Sequence, residues 1–191
     1  MQKEHLSIMI VSNDPKMIDY LKKAMPRDRF FPVFVFSNAA DARRNVLQRQ
    51  TDIVIIDTPL PDEFGTKLAQ DLSLKCAAAV IVKPELSERI SYKLEQYGIV
   101  TLPRTLHKAL LYQTFILLSI SVTKTKTLSK DRDNLKAKLR EVKNTSKAKA
   151  LLISKKSMTE EEAHQYIQKA AMDSCKKKSE IIEDIIEKLS D

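Results

Sequence analysis

Ile53-Val54-Ile55-Ile56 is an unbroken β-branched run with Asp52 before it and Asp57 after it. In an extended chain, consecutive side chains point to opposite faces, so an all-apolar run must be covered on both. That demand predicts a central strand of a parallel sheet with helices above and below. Similar runs occur at Leu6–Val11, Pro32–Phe36, Ala77–Val82 and Ile99–Leu102. Helical spacing separates them. Met17, Ile18, Leu21 and Met25 share one face. Ala39, Ala42, Val46 and Leu47 share another, behind a cap at Ser37 or Asn38. Phe64, Leu68 and Leu72 mark a third helix, and a fourth spans about 85–97. Strict strand–helix alternation predicts an α/β domain with a parallel sheet. Chemistry in such sheets gathers at the carboxyl ends of the strands.

Composition removes several function classes. The chain of 191 residues has two glycines, too few for a Gly-rich phosphate loop or a dinucleotide fingerprint. Cys76 and Cys175 are far apart and lack metal-ligand spacing, which predicts free thiols in a reducing cytoplasm. His5, His107 and His164 stand alone, so neither a metal centre nor a catalytic triad is expected. The expected protein is not an enzyme and has no cofactor. The N-terminus lacks the long apolar stretch of a signal peptide, and the apolar patch at Phe115-Ile116-Leu117-Leu118 is too short to span a bilayer. A cytoplasmic protein without membrane contact is expected.

Asp57-Thr58-Pro59-Leu60-Pro61-Asp62-Glu63-Phe64-Gly65 resembles the phospho-acceptor strand and loop of a two-component receiver. Roughly residues 5–106 carry the resemblance. It implies a flavodoxin-like five-stranded parallel sheet, with Asp57 at the acceptor position. The other receiver-site positions depart from the pattern. Ser12 and Asn13 stand where receivers place two acidic residues that hold Mg²⁺, and Asp14 comes one place later. A hard divalent cation needs charged oxygens, and phosphoryl transfer without the metal leaves the developing charge unneutralised. Lys83 replaces the usual Ser or Thr after strand four. Arg104-Thr105 replaces Lys-Pro after strand five, with a larger and less mobile cation. Two readings remain open. In one, Asp57 is phosphorylated, as in an ordinary response regulator. In the other, the domain is a pseudo-receiver in which Lys83 or Arg104 pairs with Asp57 and replaces Mg²⁺ and phosphate.

From residue 106 to residue 157 there is no Pro or Gly. Leu111, Thr114, Leu118, Ser121, Thr125, Leu128, Arg132, Leu135, Leu139 and Val142 follow spacings of three and four. This heptad seam, polar in its middle, predicts a coiled-coil helix that pairs two copies, or else a long helix folded back on its own chain. Residues 124–156 carry twelve Lys or Arg against three Asp or Glu. Such a stripe attracts a polyanion, or remains a solvated surface.

The tail is helical. Ser154-Lys155-Lys156-Ser157 breaks the long helix, Thr159 and Glu162 form a capping box, and Ser179 can cap a last helix. Inner faces are Ala163, Tyr166, Ile167, Ala170 and Ala171, then Ile181, Ile182, Ile185, Ile186 and Leu189. Met172 is expected in the core. Lys176-Lys177-Lys178 is placed near the end of the middle helix, where cations suit the dipole. Ala148-Lys149-Ala150-Leu151-Leu152-Ile153, Thr159-Glu160-Glu161-Glu162-Ala163, Ala171-Met172 and Glu180-Ile181-Ile182 together resemble an ANTAR domain, the RNA-binding module of bacterial antiterminators. Departures from its pattern include Ala150, Ile153, His164 and Cys175.

The resemblance divides the chain into a receiver-like domain (1–105), a coiled-coil linker helix (106–143) and a three-helix ANTAR domain (144–191). It implies a dimer that binds paired hairpins in a leader transcript and excludes the terminator. Lys147, Lys149, Lys155, Lys156, Lys176 and Lys177 are candidate phosphate contacts, and Tyr166 is a candidate stacking platform. The receiver-like domain would serve dimerisation or dock a sensory partner protein. An adaptor whose basic helix binds an acidic protein is the remaining class.

Overall fold

The computed structural model describes residues 5–26, 28–105, 107–174 and 176–190, apart from the side chain of Leu47. Cys175 therefore lies outside the described residues, as does the inward placement expected for Leu47. The chain forms two compact units, Met1–Lys126 and Thr127–Asp191.

The first unit alternates strands and helices as the apolar runs predict. Its strands are β1 (Leu6–Val11), β2 (Phe30–Phe36), β3 (Ile53–Asp57), β4 (Ala77–Val82) and β5 (Val100–Pro103). Its helices are α1 (Pro15–Ala24), α2 (Ala39–Gln48), α3 (Thr66–Ser73), α4 (Pro84–Leu94) and the first part of α5 (Lys108–Lys156). The strands pair in parallel in the order β2-β1-β3-β4-β5. This is the flavodoxin-like order, and its switch point lies between β1 and β3. Pro32 is tolerated because β2 is an edge strand. There the register slips by one residue, Leu6 facing Phe30 and Ile8 facing Val33.

Both faces of the sheet are apolar, as the β-branched runs demand. Ile8, Ile10, Ile53 and Ile55 pack with Leu21 of α1 and with Leu111, Phe115, Leu118 and Val122 of α5. Met9, Val11, Val54 and Ile56 pack with Ala42 of α2, Leu68 and Leu72 of α3, and Ile90 and Leu94 of α4. Burying a large apolar side chain in this way stabilises by about 1.5–3 kcal/mol each, offset by the entropy of ordering.

One expectation is corrected here. Leu111, Thr114 and Leu118 are buried in the first unit. The start of the apparent seam is therefore the covering face of the receiver-like domain's own helix, and Leu111, Thr114 and Leu118 are not open to a partner. Lys126 extends this attachment. Its ammonium lies 2.8 Å from Asp52 Oδ1, while Asp52 Oδ2 accepts from the Ser7 amide at 2.8 Å.

The second unit contains the rest of α5, α6 (Glu160–Ser174) and α7 (Lys178–Leu189). Ser157, at φ 52°, takes the left-handed turn that ends α5. The capping box forms as predicted: the Thr159 amide donates to Glu162 Oε2 at 2.7 Å, and the Glu162 amide donates to Thr159 Oγ1 at 3.2 Å. Ala148, Leu152, Ala163, Ile167, Ile181, Ile182 and Ile185 make the core. Met172 is 78% exposed instead of buried. Lys177 is the N-cap of α7 and Lys178 its first residue. These lysines therefore face the positive end of a dipole, the reverse of the expected arrangement, and Ser179 is not the cap.

Candidate functional site

The switch point brings the ends of β1, β3 and β5 together. Asp57 closes β3 with 1% of its surface exposed. The Ser12 hydroxyl donates to Asp57 Oδ2 at 2.8 Å. Arg104, just past β5, reaches the same oxygen with Nη2 at 3.3 Å and Asp14 Oδ2 at 2.8 Å. Asp14 is itself fixed, because its Oδ1 caps α1 by accepting from the Lys16 amide at 2.9 Å. Asp57 Oδ1 is buried and has no hydrogen-bond partner. Burial pushes the Asp57 carboxyl above its ordinary 3.8, against the Ser12 hydrogen bond and the Arg104 charge. Asp14 moves below its ordinary value, chiefly through the Lys16 amide.

The loop after Asp57 is tied on both sides. The Thr58 hydroxyl donates to the Ile81 carbonyl at 2.8 Å. Asp62 accepts from the Ala39 and Ala40 amides at 2.9 Å each, at the start of α2. Glu63 accepts from Arg43 Nη1 at 2.7 Å and from the Leu68 amide at 3.0 Å. Gly65 ends the loop at φ 103°, where an added Cβ would lie 3.0 Å from Ile56 Cγ2.

Of the proposed receiver-site positions, Ser12, Asp57 and Arg104 converge. Asn13 and Lys83 do not. Asn13 is exposed, and Lys83 points to solvent at the N-cap of α4. Of the two cations proposed as partners for Asp57, Arg104 is the one the fold delivers. Sequence reasoning gave Asp14 no role here, although Asp-Pro is a helix-start signal that fixes where its carboxylate must sit. The donor set does not fit a divalent cation. Among the described residues, no three His, Cys, Asp or Glu side chains cluster to hold one. A guanidinium lies between the two carboxylates present. Cys76 is equally inert: burial pushes its thiol up to about 12.

In the second unit the candidate RNA contacts fall in several places. Lys136, Arg140, Lys143 and Lys147 are all exposed on α5, at spacings of four, three and four, hence on one face. Only Lys147 of these four is a predicted contact. Beside this line lies the exposed part of the seam, with Leu128, Leu135, Leu139 and Val142 between 56% and 66% exposed. Arg140 also shares a groove of about 490 Å³ with Asn144, Lys177, Lys178 and Ser179. Lys156 sits over the Tyr166 ring, 4.9 Å from its centre, and donates to the Tyr166 hydroxyl at 3.4 Å. Lys149 pairs with Glu160 at 3.3 Å, and Lys176 with Asp184 at 3.1 Å. Lys155 is exposed at the end of α5.

A scan against protein families matches residues 133–186 to the ANTAR domain. Residues 133–186 are an ANTAR domain. Its matched span begins inside α5, so the end of the long helix belongs to the ANTAR domain and supplies Ala148 and Leu152 to its core. No curated protein matches the chain. The first unit has the receiver fold. The response regulatory domain of protein mrkE from Klebsiella pneumoniae aligns at 15% identity and a TM-score of 0.55, over 62% of this chain and 99% of that one. A signal receiver domain from Vibrio parahaemolyticus aligns at 15% identity and a TM-score of 0.59, over 65% and 98%. The chemotaxis response regulator CheY4 of Vibrio cholerae gives 12% identity and a TM-score of 0.51, over 60% and 99%. The chain thus joins a domain of receiver fold to a segment that matches the ANTAR domain. No helix of the described residues is long and apolar enough to cross a membrane.

Proposed function

We propose that this chain is an RNA-binding transcription antitermination regulator whose dimer binds hairpins in a leader mRNA and prevents the terminator from forming. The reading rests on one observation above all. The ANTAR domain carries a line of exposed cations, Lys136, Arg140, Lys143 and Lys147, on α5. Arg140 then meets Lys177 and Lys178 across a groove. A folded RNA backbone is a dense polyanion, and shape with phosphate contact dominates recognition of its paired regions. Tyr166, still partly exposed beside Lys156, is the surface on which a loop base stacks. Binding energy alone then shifts the RNA folding equilibrium, and no bond is made or broken.

The exposed Leu128, Leu135, Leu139 and Val142 pair two copies as a coiled coil and bring two RNA-binding surfaces to two hairpins. The receiver-like domain acts without phosphate or metal. Arg104 already supplies the positive charge that Asp57 needs, and a sensory partner protein docks on this domain. Gel-shift titration with a leader RNA carrying two hairpins tests the proposal. Saturable binding at low salt, well above that to duplex DNA, is expected. Absent binding, or equal affinity for duplex DNA, defeats it.

A further inference from the structure

Phe64 does not join α3 as its apolar character predicts. It precedes the helix and is 40% exposed. Gly65, at φ 103°, is the N-cap of α3, so Phe64 falls before the helix and instead lines a cavity of about 240 Å³ between α3 and α4. Its floor is apolar: Ile90 and Leu94 are buried, with Leu86 packed beside them. Its rim is polar, with Thr66 and Gln70 on α3 and with Arg89 and Lys93 on α4. Arg89 and Lys93 are four residues apart on one helix, so they stand one above the other at the mouth. No Asp or Glu lines the cavity.

A space with an apolar floor and a polar mouth whose charged lining residues are both cations takes a ligand with the opposite pattern. Size narrows the class further. A cavity of about 150 Å³ lined by apolar side chains holds benzene. A space of about 240 Å³ has room for such a body plus a carboxylate. We propose that the α3–α4 cavity binds a small monocarboxylate, with its apolar body between Phe64 and Leu86 and its carboxylate on Arg89 and Lys93. An inorganic anion would leave the apolar floor unfilled, and a neutral hydrocarbon would leave the cations unmatched. The ligand would touch Phe64, the residue before Gly65 in the loop that begins at Asp57. It would therefore contact the receiver-like domain's switch-point loop without entering the Asp57 site.

The test is calorimetric titration of the full chain with benzoate, phenylacetate and hexanoate, together with amide chemical-shift mapping. At least one acid should bind saturably and shift residues 64–70 and 86–94. Benzyl alcohol should bind at least about tenfold more weakly, and phosphate should not compete. The doubly exposed change Arg89→Gln with Lys93→Gln should fold normally and weaken binding at least about tenfold, and Phe64→Ala should also weaken it. Binding by none of the acids overturns the proposal. So does binding that survives the double change, or shifts confined to the ANTAR domain.

Discussion

Arg104 holds Asp57 and Asp14 with the same guanidinium nitrogen, at 3.3 Å and 2.8 Å. One side chain from the end of β5 thus closes the carboxyl ends of β1 and β3, where a receiver would hold its metal. Arg104→Met should leave Asp57 buried and uncompensated. The cost should be about 1–3 kcal/mol in urea unfolding, moderated because Arg104 is partly exposed. Asp57→Asn in the same background should recover part of it, which a double-mutant cycle reads directly.

The same environment sets a pH dependence. Burial raises the folded-state pKa of Asp57 above its ordinary 3.8. Folding therefore favours the protonated form. The Asp57 contribution is greatest below pH 3.8 and is lost as pH rises through the folded value. The stability difference between Asp57→Asn and the natural chain should move in favour of the asparagine as pH rises over that window. Asp14 and Glu162 are depressed and act in the opposite sense, losing their contribution as pH falls. Unfolding curves of both proteins across pH 3–7 check this, and a flat difference would contradict the raised value.

Incubation with acetyl phosphate and Mg²⁺ should leave the mass of the full chain unchanged. A stable gain of one phosphoryl group at Asp57 would restore the phosphorylated reading of the receiver-like domain.

Phe115 is wholly buried on α5, its ring 5.7 Å from that of Phe30. Phe115→Ala should destabilise the first unit by about 3–5 kcal/mol. Leu135→Asp with Leu139→Asp should leave its melting unchanged and abolish self-association in sedimentation equilibrium. The two results separate the covering part of α5 from its pairing part.

The contrast between these two parts of α5 explains what was legible in the sequence. The strands were readable because runs such as Ile53–Ile56 have one stable environment. The ends of α5's roles were not. Leu111, Thr114 and Leu118 follow spacings that suit a coiled-coil seam and a helix lying on a sheet alike, because periods of 3.5 and 3.6 diverge by only about 20° per heptad. That the ends of β1 and β3, and with them Ser12 and Asp57, converge follows from the parallel sheet order. That Arg104 and not Lys83 would reach Asp57 does not, since it depends on the direction in which the backbone leaves β4. Lys177 as an N-cap was hidden because lysine is not a capping residue. The cationic line Lys136, Arg140, Lys143 and Lys147 is present in the spacing, but the net charge of residues 124–156 does not by itself distinguish one face from a charge spread around the helix.

That line has a quantitative signature. Changing Arg140, Lys143 and Lys147 together to Gln should weaken leader-RNA binding and reduce the slope of log affinity against log salt by about two to three. An unchanged slope would place the RNA elsewhere on the ANTAR domain.

Single-round transcription through a leader with two hairpins ahead of a terminator is the most direct measurement. Read-through should rise with added protein and fall back with the triple Gln variant. Termination that stays constant while the leader RNA is fully bound would contradict antitermination as the activity of this chain.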